Sequence, residues 1–317
     1  MKLIKTLKGG SLSSTNVIQD GGRIFVRKSI ARNLNREYGL VRWQSQIRKL
    51  QLLEKFIPES TIIIERVGAT DEFYYYDIPY YENCLNCVEA ILSGLSVDTI
   101  AEKTSILLSK MASIEYQPSR GSLSLYIAEE ILSPLIMAGK MASSNSLDLT
   151  DAESKEFRYT VSNAINLVEN LQSQTTNIIL KESLNHGNLT LENMLWDSNS
   201  KELIMIDPYG ETYCDTILGD VSQLLQSAAS GYEYISDKFE GAEFKISDYP
   251  INHIPRCLID YSKKLIEKIS DKGWYSDEYL ALLRASQFTR MFPFKLHKSP
   301  RSAVAFMMHG INLLKGH

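Results

Sequence analysis

Two short alternating stretches sit near the start of the chain. SLSSTNVIQDGG and RIFVRKSI place β-branched and aromatic residues on either side of the turn-forming DGG, which predicts two strands. The period then changes: in EYGLVRWQSQIRKLQLLEKF, Leu40, Trp43, Ile47, Leu50 and Leu53 recur three and four apart, as on one face of a helix. STIIIERVGATDEFYYYDIP returns to β-rich runs around the turn signal GATDE and stops at Pro79. Beyond Pro79 the spacing is helical, over roughly 96–116, 122–142, 151–172, 255–270, 276–291 and 300–315. A β-like island, LIMIDPYG, interrupts the helices. The pattern predicts an α+β chain with a small β-rich lobe over 1–79 and a large, mainly helical lobe over 80–317. A ligand is expected in the cleft between two such lobes.

Composition narrows the partners. The 317 residues are 44% hydrophobic and 23% charged, ordinary for a globular protein, with a net charge of only −4. No basic excess points to nucleic acid or to an anionic membrane surface. MKLIKTLKGG has no apolar run of signal-peptide length, and no segment reaches the ~18 apolar residues of a membrane span. A cytoplasmic location is expected. The cysteines are Cys84, Cys87, Cys214 and Cys257, and CLNC has the spacing of zinc and redox sites. A zinc site wants a second close pair, which Cys214 and Cys257 do not make. Small residues opening a helix in a reducing compartment are the better account.

Chemistry concentrates in SLNHGNLTLENMLWD, Ser183 to Asp197. His186, Leu189 and Asn193 have the spacing of a phosphotransferase catalytic loop, but the position of its aspartate holds an amide, Asn188. Phosphoryl transfer needs groups that grip phosphates, ligands for magnesium, and a group that orients or deprotonates the attacking hydroxyl. Asn193 offers a neutral oxygen to a metal. Asp207, fourteen residues later, follows the apolar LIMI, where a carboxylate is costly unless a cation meets it. By itself Asp207 would serve equally as a turn cap. KGGSLSSTN, with Ser11 and Ser13, can lay backbone amides over phosphates. Lys28 ends RIFVRK, between that loop and the first helix. It is placed to hold phosphates, or simply to keep a strand edge soluble.

HGNLTLENML, LIMIDPYG and LGD together are similar to the pattern of the aminoglycoside phosphotransferase and choline kinase-like family of the protein-kinase-like superfamily. The resemblance implies a bilobal kinase-like fold, ATP or GTP as donor, Mg2+, and a small hydroxylated acceptor. Carried over, Lys28 grips the phosphates beneath the loop of Ser11 and Ser13, and Asn193 and Asp207 hold the metal. His186 and Asn188 belong to the catalytic loop. Asp220 braces that loop, unless it is a helix N-cap. The run YYYDIPYY forms the hinge, with backbone from Ile78 to Tyr80 meeting the base, unless it is plain core.

Two departures from the family pattern matter. The phosphate lysine should pair with a glutamate on the next helix. Glu37 and Glu54 are the available acids, whereas Gln44 and Gln46 lie nearer the expected register. Asn188 has three accounts: an introduced substitution, a natural pseudokinase, or an enzyme that tolerates asparagine. An amide is no base near neutral pH but still accepts a hydrogen bond from a hydroxyl. Toward the carboxyl end, Arg290 and Lys295 stand in a basic segment and are expected either to meet the acceptor or to form a solvated face. A basic wall suits a sugar or related metabolite, as in surface-polysaccharide assembly, better than a polycationic antibiotic. The expected activity is a small-molecule kinase; the alternative is a nucleotide-binding pseudokinase with a regulatory or scaffold role.

Overall fold

The computed structural model describes residues 1–7, 13–32, 36–115, 122–175, 181–232, 254–297 and 299–315. The chain forms two compact units, Met1–Gly94 with His186–Thr212, and Leu95–Asn185 with Tyr213–His317. The change from strands to helices at Pro79 does not mark this division, because the segment His186–Thr212 folds with the amino-terminal residues.

The first unit is built on a five-stranded antiparallel sheet. Its strands are β1 (Lys2–Leu7), β2 (Ser13–Asp20), β3 (Arg23–Ala31), β4 (Arg66–Ala69) and β5 (Phe73–Pro79), in the order β1-β2-β3-β5-β4. Between β2 and β3, Gly21 and Gly22 take φ values of 54° and 83°, which the predicted DGG turn supplies without Cβ strain. The pattern did not announce β1: almost all of KLIKTL is exposed, so its ladder with β2 holds it rather than a buried face. Alternation along β3 buries Val26, Lys28 and Ile30 on one face, opposite Ile78, Tyr76 and Tyr74 of β5. Its other face carries Arg27, which grips Asp77 bidentately at 2.7 and 2.8 Å. Helix α1 (Arg36–Phe56) forms as predicted, and its Ile47 and Leu50 pack with Ile62, Tyr76 and Ile204.

A second, three-stranded sheet joins β6 (Cys84–Asn86), β7 (Met194–Asp197) and β8 (Glu202–Met205) in that order. The Asn86 side chain caps helix α2 (Cys87–Leu92) by accepting from Glu89 N at 2.9 Å. All four cysteines are free thiols, and burial pushes Cys87 up to about 12, which suits the structural account of CLNC.

The second unit is helical over its described residues: α3 (Val97–Ala112), α4 (Leu123–Ile127), α5 (Ser133–Ser143), α6 (Asp151–Thr175), α7 (Ile217–Ala228), α8 (Arg256–Ile269), α9 (Asp277–Thr289), α10 (Phe292–Leu296) and α11 (Pro300–Lys315). One π turn, Ala128–Leu132, carries α4 into α5. The apolar faces of α5, α6, α9 and α11 meet in one core through Leu135, Phe157, Val161, Leu283, Val304 and Ile311. Helix α7 was not among the expected helices, although Ile217, Leu218, Val221, Leu224, Leu225 and Ala228 recur at helical spacing; it is short, and in the fold it is buried nearly all round, polar residues included. Among the described residues, no helix is long and apolar enough to cross a membrane.

Candidate functional site

The β7–β8 hairpin explains the fourteen-residue spacing between Asn193 and Asp207. Met194 pairs with Met205, and one step further out Ile206 N donates to Asn193 O at 2.9 Å. Asp207 therefore emerges beside the catalytic-loop segment. Its backbone turns sharply there, with φ 55°, a left-handed value that aspartate tolerates better than most residues. The chain then runs back under the loop: Tyr209 N donates to His186 O at 3.0 Å. Gly187, at φ 78°, has to be glycine, since a Cβ there would strike the Tyr209 carbonyl.

Asp207 is the hub. Lys28 Nζ forms a salt bridge with Oδ1, and Gln46 Nε2 of α1 donates to the same oxygen at 2.7 Å. Asn188 Nδ2 donates to the Asp207 main-chain carbonyl at 3.1 Å, and Asn193 Nδ2 donates to the Asn188 carbonyl at 2.8 Å. Lys28, remote in sequence, thus joins Asn188, Asn193 and Asp207 in one hydrogen-bonded chain within the first unit. Burial alone would raise the Asp207 carboxyl, but Lys28 and Arg42 outweigh it and hold it below the usual carboxylate range. The side chain keeps 29% of its surface exposed, enough to offer its second oxygen to a ligand.

His186 corrects one expectation. Its ring is fully buried, and Nδ1 accepts the Asn188 backbone N–H at 3.3 Å. Burial pushes its pKa down to about 3, with Asp207 opposing that shift. The ring is neutral and presents no surface to a ligand. It fastens the loop in place, so its catalytic assignment becomes a positioning one.

The remaining expected residues scatter. Ser11 lies outside the described residues, and Ser13 begins β2 opposite Ile30. Ile78 sits in the β3–β5 ladder opposite Val26, and the Tyr80 ring lies 5.2 Å from Lys5 Nζ. Asp220 is fully buried in the first turn of α7, but Thr216 is the N-cap there, so the capping alternative fails. Lys295 is not on an open basic face. It is 6% exposed, with Nζ 4.6 Å from the Phe306 ring and 5.5 Å from Tyr232, a buried ammonium met by aromatic faces. Arg290 is half-buried and lies in the field of Glu130 and Tyr126. Sequence reasoning passed over Arg42, which stands 5.6 Å from the Tyr209 ring and lowers the Asp207 pKa. Its signal was the four-residue step to Gln46, which puts both on one helix face.

The residues fit magnesium. Asn193 has committed its Nδ2 to the Asn188 carbonyl, so its amide oxygen is the donor left for a cation. One carboxylate and one amide oxygen are a set that magnesium completes with water and phosphate oxygens. Zinc would want three or more nitrogen, sulfur or carboxylate ligands, and no group of three His, Cys, Asp or Glu occurs among the described residues.

No family profile and no curated protein sequence matches the chain. Solved structures do. A candidate fructosamine-3-kinase from Haemophilus somnus 129PT is 12% identical, with a TM-score of 0.59 over 99% of this chain and 92% of its own. A glucosamine kinase solved with glucosamine, ADP and inorganic phosphate is 10% identical, with a TM-score of 0.51 over 99% and 93%. A second crystal form of glucosamine kinase gives 10%, 0.51, and 100% and 94%. At such identities the likeness shows the fold alone, which this chain shares with those structures.

Proposed function

We propose that this chain is a cytoplasmic phosphotransferase that moves the terminal phosphate of ATP or GTP to a hydroxyl of a sugar or related metabolite. One observation carries the reading: Asp207 is bonded at once to Lys28, by its carboxylate, and to Asn188, by its carbonyl. In this reading a phosphate grip, a metal-binding carboxylate and the group that meets the acceptor would stand at one place. The fold of the sugar kinases described above supports it.

In this reading Lys28 binds the α- and β-phosphates. Asn193 and Asp207 would hold magnesium, which supplies neutralisation of charge on the phosphates. The Nδ2 of Asn188 is held by the Asp207 carbonyl, so Oδ1 is the atom that accepts the acceptor hydroxyl and aims its oxygen at the terminal phosphorus. The new bond forms from that oxygen to phosphorus as the bridging bond to the nucleoside diphosphate breaks. Asn188 cannot take the hydroxyl proton, which passes to a phosphate oxygen or to water. Positioning remains and general-base assistance is absent, which costs about 10²–10⁴-fold in rate.

The second reading, a nucleotide-binding pseudokinase, is favoured by one fact. Asn188 is integrated as an amide, using its N–H where an aspartate has none. The deciding experiment is a melt with millimolar magnesium–ATP and magnesium–GTP, followed by an acceptor screen that reads nucleotide consumption. Stabilisation with turnover supports the kinase, and stabilisation without turnover across the screen supports the pseudokinase. No stabilisation by either nucleotide overturns both.

A further inference from the structure

Two opposite charges stand near each other in the helical unit without meeting. Glu130 lies in the π turn and Arg290 caps the carboxyl end of α9. Both are half-buried, and among the described residues neither side chain makes a hydrogen bond or an ion pair. They are neighbours all the same: Thr289 Oγ1, one residue before Arg290, donates to Glu130 O at 2.7 Å. Of all charges, Arg290 acts most strongly on the Glu130 carboxyl, opposing the rise that burial imposes. Other arginines find their acids directly, Arg27 at Asp77, Arg256 at Asp260 and Arg301 at Asp148.

The frame around the pair is fixed by the sequence. Pro134 has no N–H to give to Glu130 O, the bond that a regular helix would make there. Ser133 N instead reaches back five residues to Ala128 O, and Thr289 takes the released carbonyl. π turns of this kind recur at functional sites. Tyr126, one turn before Glu130, lies in the field of both charges. Its hydroxyl is 2.7 Å from Ser286 Oγ and 3.2 Å from Gln287 Nε2. Ser286 gives its proton to Leu283 O and Ser222 gives its own to Gly219 O. Tyr126 therefore donates to Ser286, and the Gln287 amide must turn its N–H toward Ser222, at 2.9 Å. That leaves Gln287 Oε1, on a residue 1% exposed, without a donor among the described residues. The place is held firmly, yet several of its polar groups are unanswered, a standing cost that wants a reason.

A half-buried acid calls for a cation and a half-buried guanidinium for an anion. One molecule carrying both charges answers both, whereas a sugar hydroxyl neutralises neither. We propose that Glu130 and Arg290 form a binding site for a small zwitterion of the free α-amino acid class, with its ammonium on Glu130 and its carboxylate on Arg290. Both residues belong to the second unit and Asp207 to the first, so the proposal does not rest on phosphoryl transfer.

Thermal melts of the whole chain with each common α-amino acid at about 10 mM test it, and at least one is expected to raise the melting temperature by about 2 °C or more. The N-acetyl derivative and the primary amide of that amino acid, each lacking one charge, are expected to give no shift. By calorimetry, Glu130→Gln and Arg290→Gln are each expected to bind it about 10-fold or more weaker, with Lys28→Ala unchanged. Ligand-free melting checks that the variants fold; where one does not, the two derivatives on the unaltered chain decide. No shift with any amino acid overturns the proposal. So does equal stabilisation by the derivatives, or affinity kept in both glutamine variants. Loss of binding in Lys28→Ala also overturns it, by placing the ligand at Asp207.

Discussion

Asn188 and Asp207 are tied by an amide-to-carbonyl hydrogen bond, from Asn188 Nδ2 to the main-chain oxygen of Asp207 at 3.1 Å. The bond links the residue that would meet the acceptor to the residue that would hold the metal. It also braces the Asp207 backbone in its left-handed turn. An aspartate at 188 is isosteric but, when ionised, has no donor for that carbonyl and must turn away from it.

Replacing Asn188 by Asp should therefore pull in two directions. The carboxylate can accept the acceptor's proton, so turnover with the true acceptor is expected to rise by about 10²-fold or more, with nucleotide affinity held within a few-fold. Ligand-free stability is expected to fall by about 1 kcal/mol with the lost bond. Steady-state kinetics and denaturant unfolding of both proteins decide it. Equal turnover would mean that position 188 does not face the reacting hydroxyl.

Asp207→Ala should separate metal from fold. Magnesium-dependent stabilisation by nucleotide, read as the melting shift with and without magnesium, is expected to be largely lost. Lys28, left 7% exposed without its ion pair, should make the ligand-free protein less stable by about 1–3 kcal/mol. A variant that keeps the full magnesium-dependent shift would remove Asp207 from the metal site.

Lys28→Ala should weaken diphosphate and triphosphate binding by roughly 1.5–3 kcal/mol while nucleoside binding stays nearly constant, because the lost partner is phosphate oxygen. Calorimetry with matched nucleoside and nucleotide measures both. Parallel losses would make Lys28 a support of the sheet rather than a grip.

The pH dependence of stability should carry the mark of buried neutral histidines. His186 has its pKa pushed down to about 3 and His309 to about 4, against an ordinary value of 6.5, in both cases first by burial. Each binds a proton more readily when unfolded, so its contribution is full above pH 6.5 and is lost as pH falls toward the folded value. Stability is expected to drop by up to about 1.4 kcal/mol per pH unit for each histidine between pH 6 and 4.5. His186→Gln should flatten its share of that slope even if it lowers stability at neutral pH. An unchanged slope would show that His186 does not govern it.

The local rules in the sequence determined a good part of this protein. The DGG turn, the helical spacing from Leu40 to Leu53 and the helices near 151, 256, 277 and 300 were legible because each answers to its own periodicity and turn chemistry. The spacing of Asn193 and Asp207 was legible too, because a single hairpin enforces it. An element whose support lies elsewhere in the chain was not: β1, almost wholly exposed, owes its existence to pairing with β2. Only the tertiary structure decided the neighbours of Asp207. Lys28 is remote in sequence, and nothing in α1 says whether Gln46 or an acid will face it; the approach of β3, α1 and the hairpin settles that. It also took Lys295 off the surface and set it between two rings, since the sequence shows charge but not which cations find aromatic partners in the interior. Backbone preference is a local property and can be read in a line of residues, whereas electrostatic partnership depends on distance in space.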